Sequence, residues 1–552
     1  MKRFSHFAAL TLIVTLCAMA TTRSPKRDIA NNLSIFNSLF KELQTYYVDS
    51  INAEKSINTA ILAMLDDIDP YTEYIPADDQ ADFRSMTTGE YGGIGSVIQQ
   101  LPDGRVMFSE PYEGTPAAEA GLRPGDIIVT IDGDSVNGWT TSRVSDTLKG
   151  TAGTQVHVTV NRPYAIDDSI LTFDITRRKI QMPSVPYYGM VNDSIGYITL
   201  TSFTDKSADE VASALRALKQ NPTLQGLVLD LRSNGGGLVE SAIRILNMFL
   251  PKGTEVLRQR GKEMTDEKIY KTATKPIDPD LPLAVLIDGG TASSSEIVAG
   301  ALQDLDRAVI VGTRSFGKGL VQTTRTLPFD GTLKVTIAKY YLPSGRLIQA
   351  IDYSHRNPDG SVSRIPDSLT NVFKTRAGRE VRDGGGITPD ITVEYPDVNR
   401  LTYNVVRDNW AFDFATRYAA THPTIAAPSE FVITDEIYDE FKSFIDPARF
   451  EYDKVCETML DKLRETAELE SYMNDSVKAQ FGILAAMLQH DLQHDLDISR
   501  PLIEPYLAAE IVNRYYFKRG EIENALRYDN AIDTVVAIVG RTPRYREILK
   551  IR

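Results

Sequence analysis

From Lys179 onward the chain alternates between strand-like and helix-like segments, and that alternation limits this stretch to an open α/β layer. Ile195 to Phe203 reads as a strand, Ser207 to Lys219 as a helix and Leu224 to Leu231 as a buried strand. The buried strand runs into Arg232-Ser233-Asn234-Gly235-Gly236-Gly237, and a helix is expected from Leu238 to Phe249. Strand, glycine turn and helix N-terminus make an anion-binding arrangement, because backbone N–H groups converge there. No Gly-Lys-Ser/Thr follows, so it is not a phosphate loop. A plain strand-to-helix turn is the simpler reading of the same glycines. Leu283 to Ile287 is a further strand, and it delivers its following loop to the edge where open α/β sheets carry their sites. Leu333 to Tyr341 alternates like a strand and Leu342 to Gly345 turns it. The polar stretch from Asp352 to Gly385 is expected to be a surface excursion.

The chemistry concentrates in Thr291 to Gln322, TASSSEIVAGALQDLDRAVIVGTRSFGKGLVQ. A serine is a weak nucleophile at neutral pH and needs an adjacent base. Histidine is the usual base, yet none of the six histidines lies between Ser194 and Ile351. A lysine can take that role when burial disfavours its ammonium form, and Lys318, between Gly317 and Gly319, is the candidate. Ser293 followed three residues later by Glu296 also reads as a capping box opening an apolar helix. The two readings are compatible, since a nucleophile at a helix N-terminus gains from the positive potential there.

This segment resembles the active-site segment of the carboxyl-terminal processing peptidases, or tail-specific proteases, whose pattern runs SASASE, a helix, then FGKGxVQ. The resemblance implies Ser293 as nucleophile, Lys318 as general base and Gln322 as the residue that orients the lysine. Thr291 and Ser294 stand where that family usually has serine and alanine, and neither departure removes a catalytic group. The turn at 232–237 corresponds to a DLRNNPGG phrase beside the nucleophile, which implies oxyanion stabilisation by the backbone N–H groups of Gly236 and Gly237. Gly235 replaces the proline of that phrase.

Upstream, Gly89 to Gly95 (GEYGGIG) precedes strand-like runs and EGTPAAEAGLRPGDIIVTIDG at 113–133, which resembles a PDZ domain in its permuted bacterial arrangement. Such a domain takes a peptide as an added strand and holds its carboxylate on backbone N–H groups. The loop Gly92-Gly93-Ile94-Gly95 would supply those donors. A tight turn with no ligand is the plainer reading of these glycines. GxGxxG is absent, which excludes a dinucleotide loop of that kind. Ahead of this region, Leu33, Phe36, Leu39, Phe40, Leu43 and Tyr47, then Ile57, Ile61, Leu62 and Leu65, recur at helical spacing up to Asp69-Pro70.

At the start of the chain, Lys2 and Arg3, the apolar run from Phe7 to Leu16 and Ala18-Met19-Ala20 have the form of a secretory signal. Acylation at Cys17 is disfavoured by Leu16 before it. Removing the signal leaves Cys456 alone, so no intrachain disulfide is expected. The net charge of −14 argues against nucleic acid or an anionic membrane surface as partner. No later stretch is long and apolar enough to span a bilayer.

Two patterns resemble sites and are set aside. His490 and His494 echo a zinc-peptidase pair, but aspartate stands near the place of its glutamate and no third ligand is evident. Ser315 and Lys318 fit S-x-x-K, yet Gly317 and Gly319 disfavour the helix that motif needs and no KTG follows.

The expected chain is thus an α/β multidomain protein. It has a signal peptide at 1–20, an N-terminal helical region at 21–86 and a PDZ domain at 87–180. An S41-type peptidase core with a crotonase/ClpP-like α/β fold follows at 181–400, and an α-rich C-terminal domain at 401–552. The expected activity is serine endopeptidase cleavage near protein C-termini, without metal or cofactor. Substrates would be proteins or peptides with flexible C-termini, and export across the inner membrane to the periplasm is expected. An adaptor or a homo-oligomer is compatible with the sequence. The alternatives are a proteolytically silent PDZ scaffold and a crotonase-like acyl-thioester enzyme, against which the intact Ser293, Lys318 and Gln322 and the secretory signal argue.

Overall fold

The structure is a computed structural model that describes residues 25–165, 169–262, 267–357, 359–540 and 542–551. The expected signal segment, with Cys17, lies outside them. Of the described residues, 25–75 together with Thr324–Val335 form one compact unit, and the remainder forms another.

In the first unit two helices, Pro25–Tyr46 and Ala53–Asp66, follow the apolar spacing seen in the sequence. Asn52 opens the second by accepting the Lys55 N–H at 2.9 Å. Asp69 then turns the chain, one of its oxygens accepting the N–H groups of Tyr71 and Thr72. Strand Glu73–Ile75 pairs antiparallel with residues 332–334.

Among the described residues, the second unit contains four cores, one in the region read as a PDZ domain, one on each face of the peptidase sheet and one in the helical domain. The region read as a PDZ domain has an antiparallel sheet of Ser96–Gln100, Val106–Pro111, Ile127–Ile131, Gln155–Asn161 and Ile170–Thr176. Alternate residues Val156, Val158 and Val160 pack fully buried with Phe108 and Val144. Helix Thr141–Leu148 lies beside strand Ser96–Gln100. A two-stranded ribbon, Glu90–Gly93 with Arg178–Gln181, carries the chain in and out.

The peptidase layer has strands β1 (Tyr187–Met190), β2 (Ile195–Thr199), β3 (Gly226–Asp230), β4 (Leu283–Ile287), β5 (Val309–Gly312) and β6 (Ile391–Thr392), side by side in chain order. All neighbours are parallel except β1 with β2. Sequential parallel strands joined by right-handed crossovers put every connecting helix on one face. Helices α1 (Ser207–Leu218), α2 (Val239–Leu246) and α3 (Ser294–Asp304) accordingly pack on one side, against Leu227, Leu229, Leu283, Val285 and Ile310. The strands are apolar on both sides, so the opposite face also needs a cover. It comes from the far end of the chain: α4 (Asn530–Ile538) and α5 (Pro543–Leu549) bury Ala531, Ile532, Val535, Ile538, Tyr545 and Leu549 against Val228, Ala284, Leu286, Val309 and Val311.

Between these parts, residues 400–525 build a helical domain from Arg400–Arg407, Trp410–Thr421, Asp435–Phe444, Val455–Leu469, Asp475–Leu488 and the long Leu492–Ala525, around Val405, Phe414, Phe441, Leu507 and Ile511. Here His490 pairs with Glu457 at 2.9 Å, while the His494 N–H donates to Asp491. No described helix is long and apolar enough to cross a membrane.

The stretch from 352 to 385 is exposed over most of its described length, as expected of a surface excursion, but it is anchored at a few points. It contains two short hairpins, and Thr375, Arg379 and Val381 are buried. Arg379 reaches under α3, with Nε 2.7 Å from Asp306 and one Nη donating to the Gln303 carbonyl at 2.8 Å. Polar composition concealed this anchoring, because an arginine that satisfies a helix end looks in sequence like any solvated charge.

Candidate active site

Strand β4 ends in a tight turn in which Asp288 accepts the N–H groups of Ser233, Gly290 and Thr291. This carboxylate ties the β4 loop to the glycine turn after β3. Ser293 follows as the N-cap of α3, with φ +56° and ψ −115°, a strained conformation for a residue with a side chain. It is half-buried among fully buried neighbours. The turn after β3 closes over it. A Cβ on Gly236, whose φ is +100°, would lie 2.8 Å from the Ser293 Cβ and 2.9 Å from the Ser294 nitrogen. Only glycine fits there.

Asn234 makes that turn rigid. Its side-chain N–H donates to the Leu200 carbonyl, its Oδ1 accepts the Gly236 N–H at 2.9 Å, and its carbonyl accepts both the Ala292 N–H and the Ser295 hydroxyl. The Gly236 N–H is therefore engaged within the turn. Gly237 is exposed at φ +140°, with its carbonyl accepting from the Ser294 hydroxyl at 2.8 Å.

The Lys318 loop, between β5 and strand Leu320–Thr326, has no regular structure. Its flanking glycines press on residues 349–350: a Cβ on Gly317 would be 2.4 Å from the Ala350 Cβ, and one on Gly319 would be 2.9 Å from the Gln349 nitrogen. Gln349 Oε1 accepts the Gly319 N–H at 2.7 Å. Lys318 is half-buried, while Ser315, Gly317 and Gly319 around it are buried.

Two side chains lace this loop to the serine. Glu296, with no solvent exposure, accepts the Ser293 N–H at 2.9 Å and the Lys318 N–H at 2.8 Å on one oxygen. Its other oxygen accepts the Gly317 N–H at 2.8 Å and the Ser315 hydroxyl at 2.5 Å. Two hydrogen bonds to one oxygen hold the backbone nitrogens of Ser293 and Lys318 within about 6 Å of each other. Desolvation raises the Glu296 carboxyl to about 7, and the four donors oppose that rise. Tyr340, also buried, directs its hydroxyl at the carbonyls of both Ser293, at 3.2 Å, and Lys318. One carboxylate thus gathers the amides of these two residues, and one phenol their carbonyls.

Of the residues singled out in the sequence, Ser293, Lys318 and Gly236 come together at one end of the sheet. Gln322 lies on the next strand, its amide donating to the Thr336 hydroxyl at 3.1 Å. Ser315 of the S-x-x-K pattern is buried with its hydroxyl on Glu296, and no helix spans the motif. The PDZ loop is elsewhere. Gly92 and Gly93 pair with Lys179 and Arg178, and a Cβ on Gly92 would strike the Gly150 carbonyl at 2.2 Å. The carbonyls of Ile94 and Gly95 accept from Ala117 and Tyr112 within the domain. In a trans peptide the N–H lies opposite the carbonyl, so the Gly95 and Ser96 amides face away from those partners. Sequence reasoning saw Glu296 as a helix cap and missed its grip on Lys318; Tyr340, on an alternating strand, carried no signal.

Comparisons with known proteins identify the family. The family model described as peptidase family S41 matches residues 194–362, a PDZ-domain model matches residues 107–162, and one described as "probable PDZ-protease, C-terminal helical domain" matches residues 401–539. A carboxy-terminal-processing protease of Bartonella bacilliformis is 38% identical over 380 residues, covering 68% of this chain and 85% of that protein. A probable CtpA-like serine protease of Staphylococcus aureus is 32% identical, covering 71% of this chain and 76% of its own length. Among solved structures, a photosystem II D1 C-terminal processing protease is 29% identical, covering 64% of this chain and 86% of that one, with a TM-score of 0.35. The matched family models and relatives show that the chain belongs to peptidase family S41, as a carboxy-terminal-processing serine protease that carries a PDZ domain and a helical C-terminal domain.

Proposed function

We propose that this protein cleaves other proteins near their C-termini by a Ser293–Lys318 dyad, with the PDZ domain capturing the substrate's tail. The observation that carries the reading is the single Glu296 oxygen that accepts the N–H groups of both residues. Neutral Lys318 takes the Ser293 hydroxyl proton as Oγ bonds to the scissile carbonyl carbon. The resulting oxyanion meets backbone donors of the glycine turn. Gly237 is the better donor, because the Gly236 N–H already donates to Asn234. On collapse the C–N bond breaks and the amine leaves with the proton held by Lys318. Water then attacks the acyl-enzyme, losing its proton to the same lysine, and the C–Oγ bond breaks as that proton passes to Ser293 Oγ, restoring the hydroxyl and the neutral lysine. With its Nε2 on Thr336, Gln322 keeps its carbonyl oxygen available to orient the lysine.

Tail capture would use the groove between strand Ser96–Gln100 and helix Thr141–Leu148, with the carboxylate on the outward amides at Gly95 and Ser96. Export to the periplasm fits the signal-like start of the sequence.

The test is cleavage of an unstructured protein with an apolar C-terminal tail by the parent enzyme, Ser293→Ala and Lys318→Ala. Cleavage by the parent alone supports the dyad; cleavage surviving either substitution overturns it.

A further inference from the structure

The C-terminal helices that close the back of the sheet also reach the turn beside the nucleophile. Asp529 is the N-cap of α4, with Oδ1 accepting the Ala531 N–H at 2.9 Å. Its Oδ2 lies 2.6 Å from Arg232 Nη2, and the same nitrogen lies 2.5 Å from Asp230 Oδ2. Arg232 Nε is 3.0 Å from both Asp230 oxygens. Asp230 also accepts the Tyr197 hydroxyl at 2.7 Å and the Arg232 N–H at 2.9 Å. The Arg232 side chain is only 20% exposed and that of Asp529 14%, so water replaces neither contact well.

Arg232 is therefore gripped from two sides. Asp230 holds it to the end of β3, and Asp529 holds it to a segment about 300 residues away in sequence. Arg232 is the first residue of the turn that continues through Ser233 and Asn234 to Gly236 against Ser293. We propose that Asp529 is a positioning residue for the peptidase reaction: through Arg232 it fixes the 232–237 turn, so the C-terminal helices set the rate of acylation. This rests on the reading that the turn supplies the oxyanion donors. The apolar residues of α4 and α5 hold those helices on the sheet whether or not the charge is present. Asp529 thus acts on the turn rather than on the attachment of the helices.

Asp529→Asn isolates the effect, because asparagine caps a helix as well as aspartate does but carries no charge. The full chain, Asp529→Asn and Asp529→Glu are compared for kcat and KM on the tail-bearing substrate and for thermal midpoint. Amide exchange of residues 232–237 is followed in the Ser293→Ala background. Asp529→Asn should lower kcat about tenfold with KM within about twofold, together with a lower thermal midpoint because Arg232 loses a buried partner, and Asp529→Glu should recover most of the loss of kcat. Exchange at 232–237 should rise about tenfold while that of β4 stays unchanged. An unchanged kcat, or unchanged exchange at the turn, overturns the proposal. If the parent itself does not cleave, the peptidase reading fails and exchange still decides whether Asp529 holds the turn.

Discussion

The proposed nucleophile and the proposed base are held in different ways. Ser293 sits at the junction of a fully buried strand and a fully buried helix, where Asn234 of the glycine turn and Tyr340 brace regular structure already formed. Lys318 lies in a loop without regular structure, and distant segments hold that loop, among them Glu296 of α3, Tyr340 of a neighbouring strand, Gln349 with Ala350 of the segment beyond, and the Thr291 carbonyl, which accepts the Phe316 N–H. The serine is built in, whereas the lysine is gripped. The proposed dyad would then be silenced by loosening the Lys318 loop while Ser293 stays in place.

The largest effect tests the built-in side. Gly236→Ala forces a Cβ against Ser293 and the Ala292 carbonyl and strains a φ of +100°. Peptide cleavage should fall at least about a hundredfold in kcat, as when an oxyanion hole is spoiled. Activity within a few-fold of the parent would mean that the turn does not contact the reacting serine.

Glu296→Gln tests the grip. Gln offers an NH2 where the carboxylate accepted N–H groups, so one pair of donors loses its acceptor. We expect about a 30-fold loss of kcat, with secondary structure by circular dichroism intact. The parent's pH dependence sharpens the point. The folded Glu296 carboxyl is raised from 4.5 to about 7 by burial. Its contribution to stability is then full below about pH 4.5 and is lost as pH rises through about 7. Activity should move the other way, because the ionised carboxylate is the stronger acceptor. A kcat/KM profile rising through pH 7 while the thermal midpoint falls is the expected signature. The two moving together would detach Glu296 from the dyad.

The smallest effect is Tyr340→Phe, which removes a hydroxyl shared by two carbonyls and leaves the packed ring. A loss of kcat of about three- to tenfold is expected, measured on the same substrate. A null result would leave Glu296 and the Phe316 N–H on the Thr291 carbonyl, at 3.0 Å, to hold the two segments together.

These differences also explain what the sequence revealed. The serine was legible because local rules place it: an apolar strand, a turn, then Ser293 and Glu296 at capping-box spacing. The strands and helices of the layer were legible for the same reason, to within a few residues at their ends; Leu283–Ile287 matches its expected span. What escaped was everything carried by distant residues. The second face of the sheet is covered by Ala531 to Leu549, whose apolar spacing says only that a helix packs somewhere. Arg379 in the polar 352–385 stretch satisfies the end of α3 from about 75 residues away, a contact no local pattern encodes. The glycines around Lys318 marked a tight place without naming residues 349–350 as the reason.

The most direct test of the dyad is to react the full chain with a fluorophosphonate, which modifies only activated serines, and to map the adduct by peptide mass spectrometry. A single adduct on Ser293, lost in Lys318→Ala although Ser293 is still present, is the predicted result. Adduct on Ser294 or Ser295, or undiminished labelling of Ser293 without Lys318, would contradict it.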